Sequence, residues 1–175
     1  LNLRHDKGRE IFYRLVERSD VITENFRPGL TEKWGIDYQT LKVINPRIVY
    51  CSVPGFGYGG PYKDHLAWDG TIQAITGIMS LTGEPGRTPA LAGILLIDLG
   101  TAMNAAQGIM AALYYREKTG RGQRAEASLF KTGVSFLTWF TSMYSATGRV
   151  LHPMGSSWFS IAFSGAFRTK DGYIY

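Results

Sequence analysis

The segment "PRIVYCSV" at residues 46–53 constrains the fold more than any other feature of this sequence. It is rich in β-branched residues and too apolar for a strand that keeps one face in water. A second strand-like segment, "DVITENF" at 20–26, precedes it, and helical patterns lie between the two. Strands that alternate with helices and are buried on both faces are typical of a parallel sheet covered by helices. The sequence therefore predicts an α/β protein.

The spacing of apolar residues predicts the remaining elements. Helices are expected over 6–19, 31–35, 38–44, 68–81, 94–116 and 130–146, and Asp6 is placed to cap the first of them. A third strand is expected over 123–129. Residues 165–175 have the pattern of a hairpin around a Lys-Asp-Gly turn.

Composition narrows the class of protein. The 175 residues are 45% hydrophobic and 19% charged, which is typical of a globular domain. The net charge of +5 is spread along the chain without a block of like charges, so nucleic acid is not an expected partner. The apolar stretch from Ile94 to Tyr115 is interrupted by polar residues such as Asp98, which favours a buried helix over a membrane span.

Cysteine and histidine usage bears on location and metals. Cys51 is the only cysteine, which excludes an internal disulfide and favours a cytoplasmic location. His5, His65 and His152 lack ligand spacing, so no metal site is expected. Because the chain begins at Leu1 and stops within the strand-like "DGYIY", we expect it to be a fragment of a longer protein.

The glycine-rich run "PGFGYGGPYKD" at 54–64 follows the central strand. Open α/β sheets bind ligands at the carboxyl ends of their strands, and glycines let backbone N–H groups approach a phosphate. The spacing matches neither the dinucleotide fingerprint nor the phosphate-binding loop. Spacing alone therefore favours a plain loop.

Asp98 lies in "ILLIDLGT", where apolar residues surround a carboxylate that needs hydration or a partner. It is the N-cap of the following helix, a buried structural acid, or a poorly hydrated nucleophile. Local chemistry favours the cap.

Three further features are candidates for chemistry. Asp69 in "LAWDGT" either caps its own helix or forms an acid/base pair with Asp98, and Trp68 beside it is expected in the core. Arg27 and Lys33, in and after "ENFRPG", are either solvated or placed for an acidic ligand such as a phosphate.

Four motifs, in this order and spacing, carry a family resemblance: "DVITENFRPG", "INPRIVYCSVPGFGYGGPY", "WDGTIQAITGIMSLTG" and "REKTGRGQRAEASL". Over nearly the whole chain the sequence resembles the family III CoA-transferases, a group that also holds formyl-CoA and carnitine CoA-transferases and α-methylacyl-CoA racemase. The resemblance implies transfer of CoA from an acyl-CoA to a carboxylic acid, with no permanently bound cofactor and no metal.

The resemblance also implies a fold and an assembly. The family has a Rossmann-like α/β domain that leads into a smaller α+β domain, in chains that interlock as dimers. Residues 1–148 would then belong to the CoA-binding and catalytic domain, and 149–175 to a linker and the start of the smaller domain.

The resemblance assigns roles to individual residues. Asp98 falls on the nucleophile that attacks the thioester and becomes an aspartyl-CoA thioester, and Asp69 falls near the reacting centre. The expected CoA contacts are Leu1, Arg4, Asn25, Phe26, Arg27, Lys33, His65 and Trp68.

This chain departs from the family at three positions. Lys33 stands where some relatives carry Arg, and Leu66 where a relative has a CoA-contacting Lys. Trp68 stands where the racemases have a histidine, and an indole cannot act as a base. The racemase or epimerase reaction is therefore a weaker alternative, and an inactive CoA-binding fragment is the non-enzymatic one.

Overall fold

A computed structural model describes residues 1–158 and 160–175. Three short strands form the main sheet, β1 (Val21–Glu24), β2 (Val49–Ser52) and β3 (Arg124–Glu126), in the order β1-β2-β3. The helices that accompany the sheet are α1 (Asp6–Val16), α2 (Leu30–Trp34), α3 (Tyr38–Ile44), α4 (Asp69–Thr76), α5 (Ile78–Leu81), α6 (Leu96–Thr119), α7 (Leu129–Phe136) and α8 (Thr138–Thr147). The α/β class predicted from the sequence is confirmed.

All three strands run parallel. Val21 of β1 lies opposite Val49 of β2, and Tyr50 of β2 lies opposite Arg124 of β3. Every residue of the central strand β2 is buried. This explains why the segment predicted from "PRIVYCSV" carries no alternation of polar and apolar residues, since helices cover both faces of the sheet.

Successive residues of β2 point to opposite faces of the sheet and meet different helices. Tyr50 packs in a cluster with Val16 at the end of α1 and Leu41 of α3. Cys51 packs on the other face with Ala105 of α6 and with Ala127. The sheet therefore lies between α1 and α3 on one side and α6 on the other.

Helix α6 also packs closely against α7. A side chain at Gly100 would collide with the ring of Phe136, so a glycine is needed at this crossing. Gly133 of α7 likewise lies against Ile72 of α4, where an added Cβ would come within 3.0 Å. Small residues thus draw α4, α6 and α7 together next to the sheet.

Several predicted boundaries are wrong. The helix predicted over 68–81 is broken at Gly77, whose φ of +91° is left-handed, and the helix over 130–146 is broken at Leu137. Asp6 does not cap α1: His5 holds the N-cap position, and Asp6 pairs with Arg9 within the helix. Strand β3 ends early because Ser128 caps α7 by accepting the N–H of Lys131.

The hairpin predicted over 165–175 is confirmed as the antiparallel pair β4 (Phe167–Arg168) and β5 (Tyr173–Ile174). The linker predicted from residue 149 onward includes Phe159, which lies outside the described residues. The division into two domains at residue 148 stays a prediction.

Within 1–158 and 160–175, no helix has the length and apolar character needed to cross a membrane. In the same residues, no three His, Cys, Asp or Glu side chains are grouped closely enough to hold a metal ion.

Candidate active site

A cleft of about 700 Å³ opens at the carboxyl ends of β1 and β2. Its walls are residues 23–28 at and just beyond the end of β1, residues 53–55 after β2, the loop 65–68 and one face of α6. This is the edge where open parallel sheets bind ligands, because the chain leaves every strand there and the loops diverge. Six of the site residues predicted from the sequence line the cleft: Asn25, Phe26, Arg27, His65, Trp68 and Asp98.

Asp98 is the third residue of α6 and faces the cleft. Leu95 holds the N-cap position, so the interpretation of Asp98 as the cap is wrong. The side chain is exposed, as are Leu95 and Leu99 beside it, so the apolar run does not enclose the carboxylate in this chain. Partial desolvation and the neighbouring Asp69 carboxylate nevertheless raise the pKa of Asp98.

Asp69 supplies the cap that α6 lacks in its own sequence. Its Oδ2 accepts the backbone N–H of Ile97 at 2.8 Å and that of Asp98 at 3.1 Å. It does not cap its own helix, because Trp68 holds the N-cap position of α4. The fold therefore brings the two acids together, with the buried Asp69 holding the backbone from which Asp98 projects.

Gln73 completes this arrangement and was not predicted from the sequence. Its Nε2 donates to Asp69 Oδ1 at 2.5 Å, and its Oε1 accepts the N–H of Ala92 at 2.9 Å. Both carboxylate oxygens of Asp69 thus accept hydrogen bonds, Oδ1 from Gln73 and Oδ2 from the backbone at the start of α6. A signal was available in the sequence, because Gln73 follows Asp69 by one helical turn.

The segment Asn25–Arg27 follows β1 directly and forms one wall of the cleft. The backbone N–H of Phe26 donates to Glu24 Oε2 at 2.9 Å, and the Phe26 ring meets Trp34 edge-on at 5.3 Å. Arg27 is exposed and makes no ion pair with the described residues. Its guanidinium is available to an anionic ligand. Glu24 was not predicted from the sequence, although an acid within the predicted strand, just before Asn25, was a signal.

Three predicted contact residues do not line the cleft. Leu1 is 70% exposed, and Lys33 lies exposed on α2. Arg4 lies with its guanidinium 5.9 Å from the centre of the Trp34 ring. Since Trp34 also contacts Phe26, Arg4 is connected to the cleft through one aromatic side chain, whereas Leu1 and Lys33 stay predictions of the resemblance.

The loop 65–68 forms the wall opposite β1. Trp68 is 63% exposed and lines the cleft, so the expectation that it belongs to the core is wrong. The loop is held close to residue 55, because a Cβ at Gly55 would lie 2.7 Å from that of Ala67. The His65 ring lies edge-on to Tyr62 at 5.2 Å. Pro54 and Gly55 line the cleft, so the glycine-rich run is more than a plain loop.

The sequence profile of CoA-transferase family III matches residues 1–175. The chain belongs to this family. It is 38% identical to the succinyl-CoA–L-malate CoA-transferase beta subunit of Chloroflexus aurantiacus, over 98% of this chain and 43% of that protein. It is also 38% identical to the acetyl-CoA:oxalate CoA-transferase of Acetobacter aceti, over 98% of this chain and 44% of that protein.

The fold is shared with a solved structure. The crystal structure of a CAIB/BAIF family protein from Brucella suis superposes with a TM-score of 0.92 and is 40% identical. The superposition covers 98% of this chain and 46% of that protein. The chain thus spans less than half the length of these relatives.

Proposed function

We propose that this chain is the CoA-binding and nucleophilic part of an enzyme that transfers CoA from an acyl-CoA to a carboxylic acid. One observation carries the proposal: a single cleft holds both Asp98 and Arg27, and within the described part of the chain Arg27 has no ion-pair partner. Phosphates pair well with a guanidinium, and a carboxylate with a raised pKa is a better nucleophile than an ordinary one. The relatives named above are CoA-transferases, which supports the same reaction class.

The proposed reaction proceeds in two symmetrical halves. The Asp98 carboxylate attacks the thioester carbonyl, the C–S bond breaks, and a mixed anhydride and CoA thiolate form. The thiolate attacks the aspartyl carbonyl of the anhydride, which releases the donor acid and leaves an aspartyl-CoA thioester. The acceptor carboxylate attacks this thioester, and the released thiolate then attacks the acceptor carbonyl. The new acyl-CoA leaves, and Asp98 is restored without net proton transfer.

Asp69 and Gln73 give this nucleophile a fixed position. Because Asp69 binds the N–H groups of Ile97 and Asp98, the first turn of α6 cannot fray away from the cleft. The negative charge of Asp69 also disfavours the ionised form of Asp98, and this repulsion is the second cause of the raised pKa, after desolvation. A better nucleophile results at a pH where Asp98 is still ionised.

The relatives suggest the acids to test. Their names specify malate and oxalate, both short dicarboxylic acids. We propose an acid of this class as donor or acceptor, together with the CoA ester of a short acyl group. The racemase reaction is not proposed, because Trp68 lines the cleft and, by the family resemblance, stands where the racemases have a histidine.

We further propose that the full-length protein is a homodimer. Along α6, Leu99, Met103, Met110 and Tyr114 lie on one stripe of the helix, and each is more than half exposed. A stripe of this kind in water is typical of an interface.

The experiment is a trap of the covalent intermediate in the full-length protein. Treated in turn with acetyl-, formyl- and succinyl-CoA, the protein should carry an adduct on Asp98 that hydroxylamine or borohydride captures, as seen by peptide mass spectrometry. Asp98→Asn keeps the size of the side chain but lacks the anionic oxygen, so it should fold and bind CoA yet lose transfer by orders of magnitude.

Retention of most transfer activity by Asp98→Asn would refute the nucleophile. Binding of CoA with neither adduct nor transfer would instead identify the chain as part of an inactive CoA-binding protein.

A further inference from the structure

The glycine-rich loop after β2 reaches back to the strand next to it. The Tyr58 hydroxyl donates a hydrogen bond to Glu24 Oε1 at 3.1 Å. Glu24 ends β1 and is only 8% exposed. Its other oxygen, Oε2, accepts the backbone N–H of Phe26 at 2.9 Å. One buried carboxylate therefore links Tyr58 to the segment Asn25–Arg27 that lines the cleft.

Tyr58 is itself fixed from the side of β3. The Arg124 guanidinium carbon lies 3.8 Å from the centre of the Tyr58 ring, a close cation–π contact. Gly57 beside it has a φ of +90°, and a Cβ there would lie 2.9 Å from Glu126 Oε1. The loop can therefore follow this path only with glycine at position 57.

The hydroxyl of Tyr58 is a permanent donor at neutral pH. Burial and the neighbouring Glu24 carboxylate raise the pKa of Tyr58, so the phenol stays protonated. A charged acceptor makes the hydrogen bond to Glu24 stronger than one between neutral groups. The carboxylate is thereby held in the orientation that presents Oε2 to Phe26.

We propose that Tyr58 is a positioning residue for CoA binding, which acts through Glu24 on the backbone at Phe26. The inference rests on the proposed function, because it takes Asn25–Arg27 as a CoA contact. It gives the glycine-rich loop a role that its spacing did not reveal: the loop carries a tyrosine to the carboxylate at the end of the adjacent strand. Tyr58 does not line the cleft and touches no reacting atom.

Tyr58→Phe tests this, since it removes one hydroxyl and keeps the ring beneath Arg124. In the full-length protein, the Kd for free CoA measured by calorimetry should rise about threefold to tenfold, the scale of one hydrogen bond. The kcat at saturating substrates should stay at the wild-type value. The melting temperature should fall by a few degrees, because one hydrogen bond to a buried carboxylate is lost. A merely structural role would lower the melting temperature and leave the Kd of the folded protein unchanged.

Tyr62→Phe is the matched control in the same loop. Its ring contacts Phe56 and His65, and its hydroxyl makes no hydrogen bond with the described residues. It should bind CoA as the wild type does. Arg27→Ala, which removes a cation from the cleft, should weaken binding and shows that the assay reports on this site.

Glu24→Gln is the second variant that tests the proposed role of Tyr58. It should also raise the Kd for CoA. The Kd of the double variant Tyr58→Phe/Glu24→Gln should be no higher than the higher Kd of the two single variants, because both substitutions interrupt the same link from Tyr58 through Glu24 to Phe26. Additive effects, or an unchanged Kd in Tyr58→Phe while the wild type binds CoA, would overturn the inference. Failure of the wild type to bind CoA would overturn the proposed function itself.

Discussion

Asp98 shows how one residue acquires its properties from its position in the fold. It stands in the first turn of a 24-residue helix, exposed to a cleft, with a second carboxylate bonded to its backbone N–H. Desolvation and the charge of Asp69 both favour the protonated form, and they raise the pKa of Asp98. The proposed attack on a thioester needs an ionised carboxylate, so the proposed transfer depends on the ionisation of Asp98.

The raised pKa predicts the acid limb of the pH–rate profile. In the full-length enzyme, kcat/KM should fall as the pH drops through a value above the ordinary aspartate pKa of 3.8, because the protonated acid does not attack. The measurement is kcat/KM between acidic and neutral pH. Asp69→Asn removes the nearby charge and should move the limb to lower pH, but not the whole way, since desolvation is the larger cause.

The raised pKa of Asp98 also makes the stability of the fold depend on pH. Between the unfolded pKa and the raised folded pKa, the folded state binds more protons than the unfolded state, so the contribution of Asp98 to stability falls as pH rises. Asp98→Asn should therefore gain stability relative to the wild type at neutral pH and lose that advantage in acid. An acid limb at the ordinary aspartate value, with no such gain, would contradict both statements.

At the scale of elements, the approach of α4 to the start of α6 decides the geometry of the cleft. Four apolar residues, 94–97, lead into and begin α6, and the helix has no side-chain cap of its own. Asp69 supplies the cap from 28 residues away. Gln73 accepts the backbone N–H of Ala92, in the segment that leads into α6. Three separate segments are thus joined by two buried polar side chains.

Gln73→Leu should destabilise the full-length protein by about 1–3 kcal/mol, because it leaves Asp69 Oδ1 and the N–H of Ala92 without partners in a buried place. The leucine has a similar volume, so little of the effect comes from packing. The free energy of unfolding in urea measures it. Gln39→Leu, at an exposed position of α3, is the control and should stay within about 0.5 kcal/mol of the wild type. Equal stability of the two variants would show that the connection through Gln73 is unimportant.

At the scale of the whole molecule, the exposed surface is larger than the mass explains. A monomer of 19.4 kDa ordinarily exposes about 8,500 Å², whereas this chain exposes 11641 Å². Large apolar side chains contribute to this surface, including the stripe on α6 and residues such as Phe163, which is 94% exposed. Surface of this kind is suited to contact with further polypeptide.

The proposed homodimer is tested on the α6 stripe. In the full-length protein, Met103→Glu should lower the dimer fraction measured by sedimentation, because it places a charge in an apolar interface. Val43→Glu is the matched control: Val43 is 77% exposed on α3, away from the stripe, and its change should leave the assembly as it is. A Met103→Glu variant that stays as dimeric as the wild type would remove α6 from the interface.

The sequence by itself determined the parallel sheet, most helices and the terminal hairpin. These follow from local patterns: the fully apolar β2 needs cover on both faces, and helical spacing identifies what covers it. The motifs also determined the family and pointed to Asp98. Breaks such as Gly77 were missed because apolar periodicity continues across a residue whose left-handed φ ends the helix.

Only the tertiary structure decided which polar groups meet. Asp69 is separated by 28 residues from the backbone it caps, and Tyr58 by 34 residues from Glu24. Sequence spacing carries no information on such contacts, because they depend on how the helices pack around the sheet. The exposure of Trp68 and of Asp98 was decided in the same way, since an apolar run shows that side chains avoid water but not which neighbour covers them.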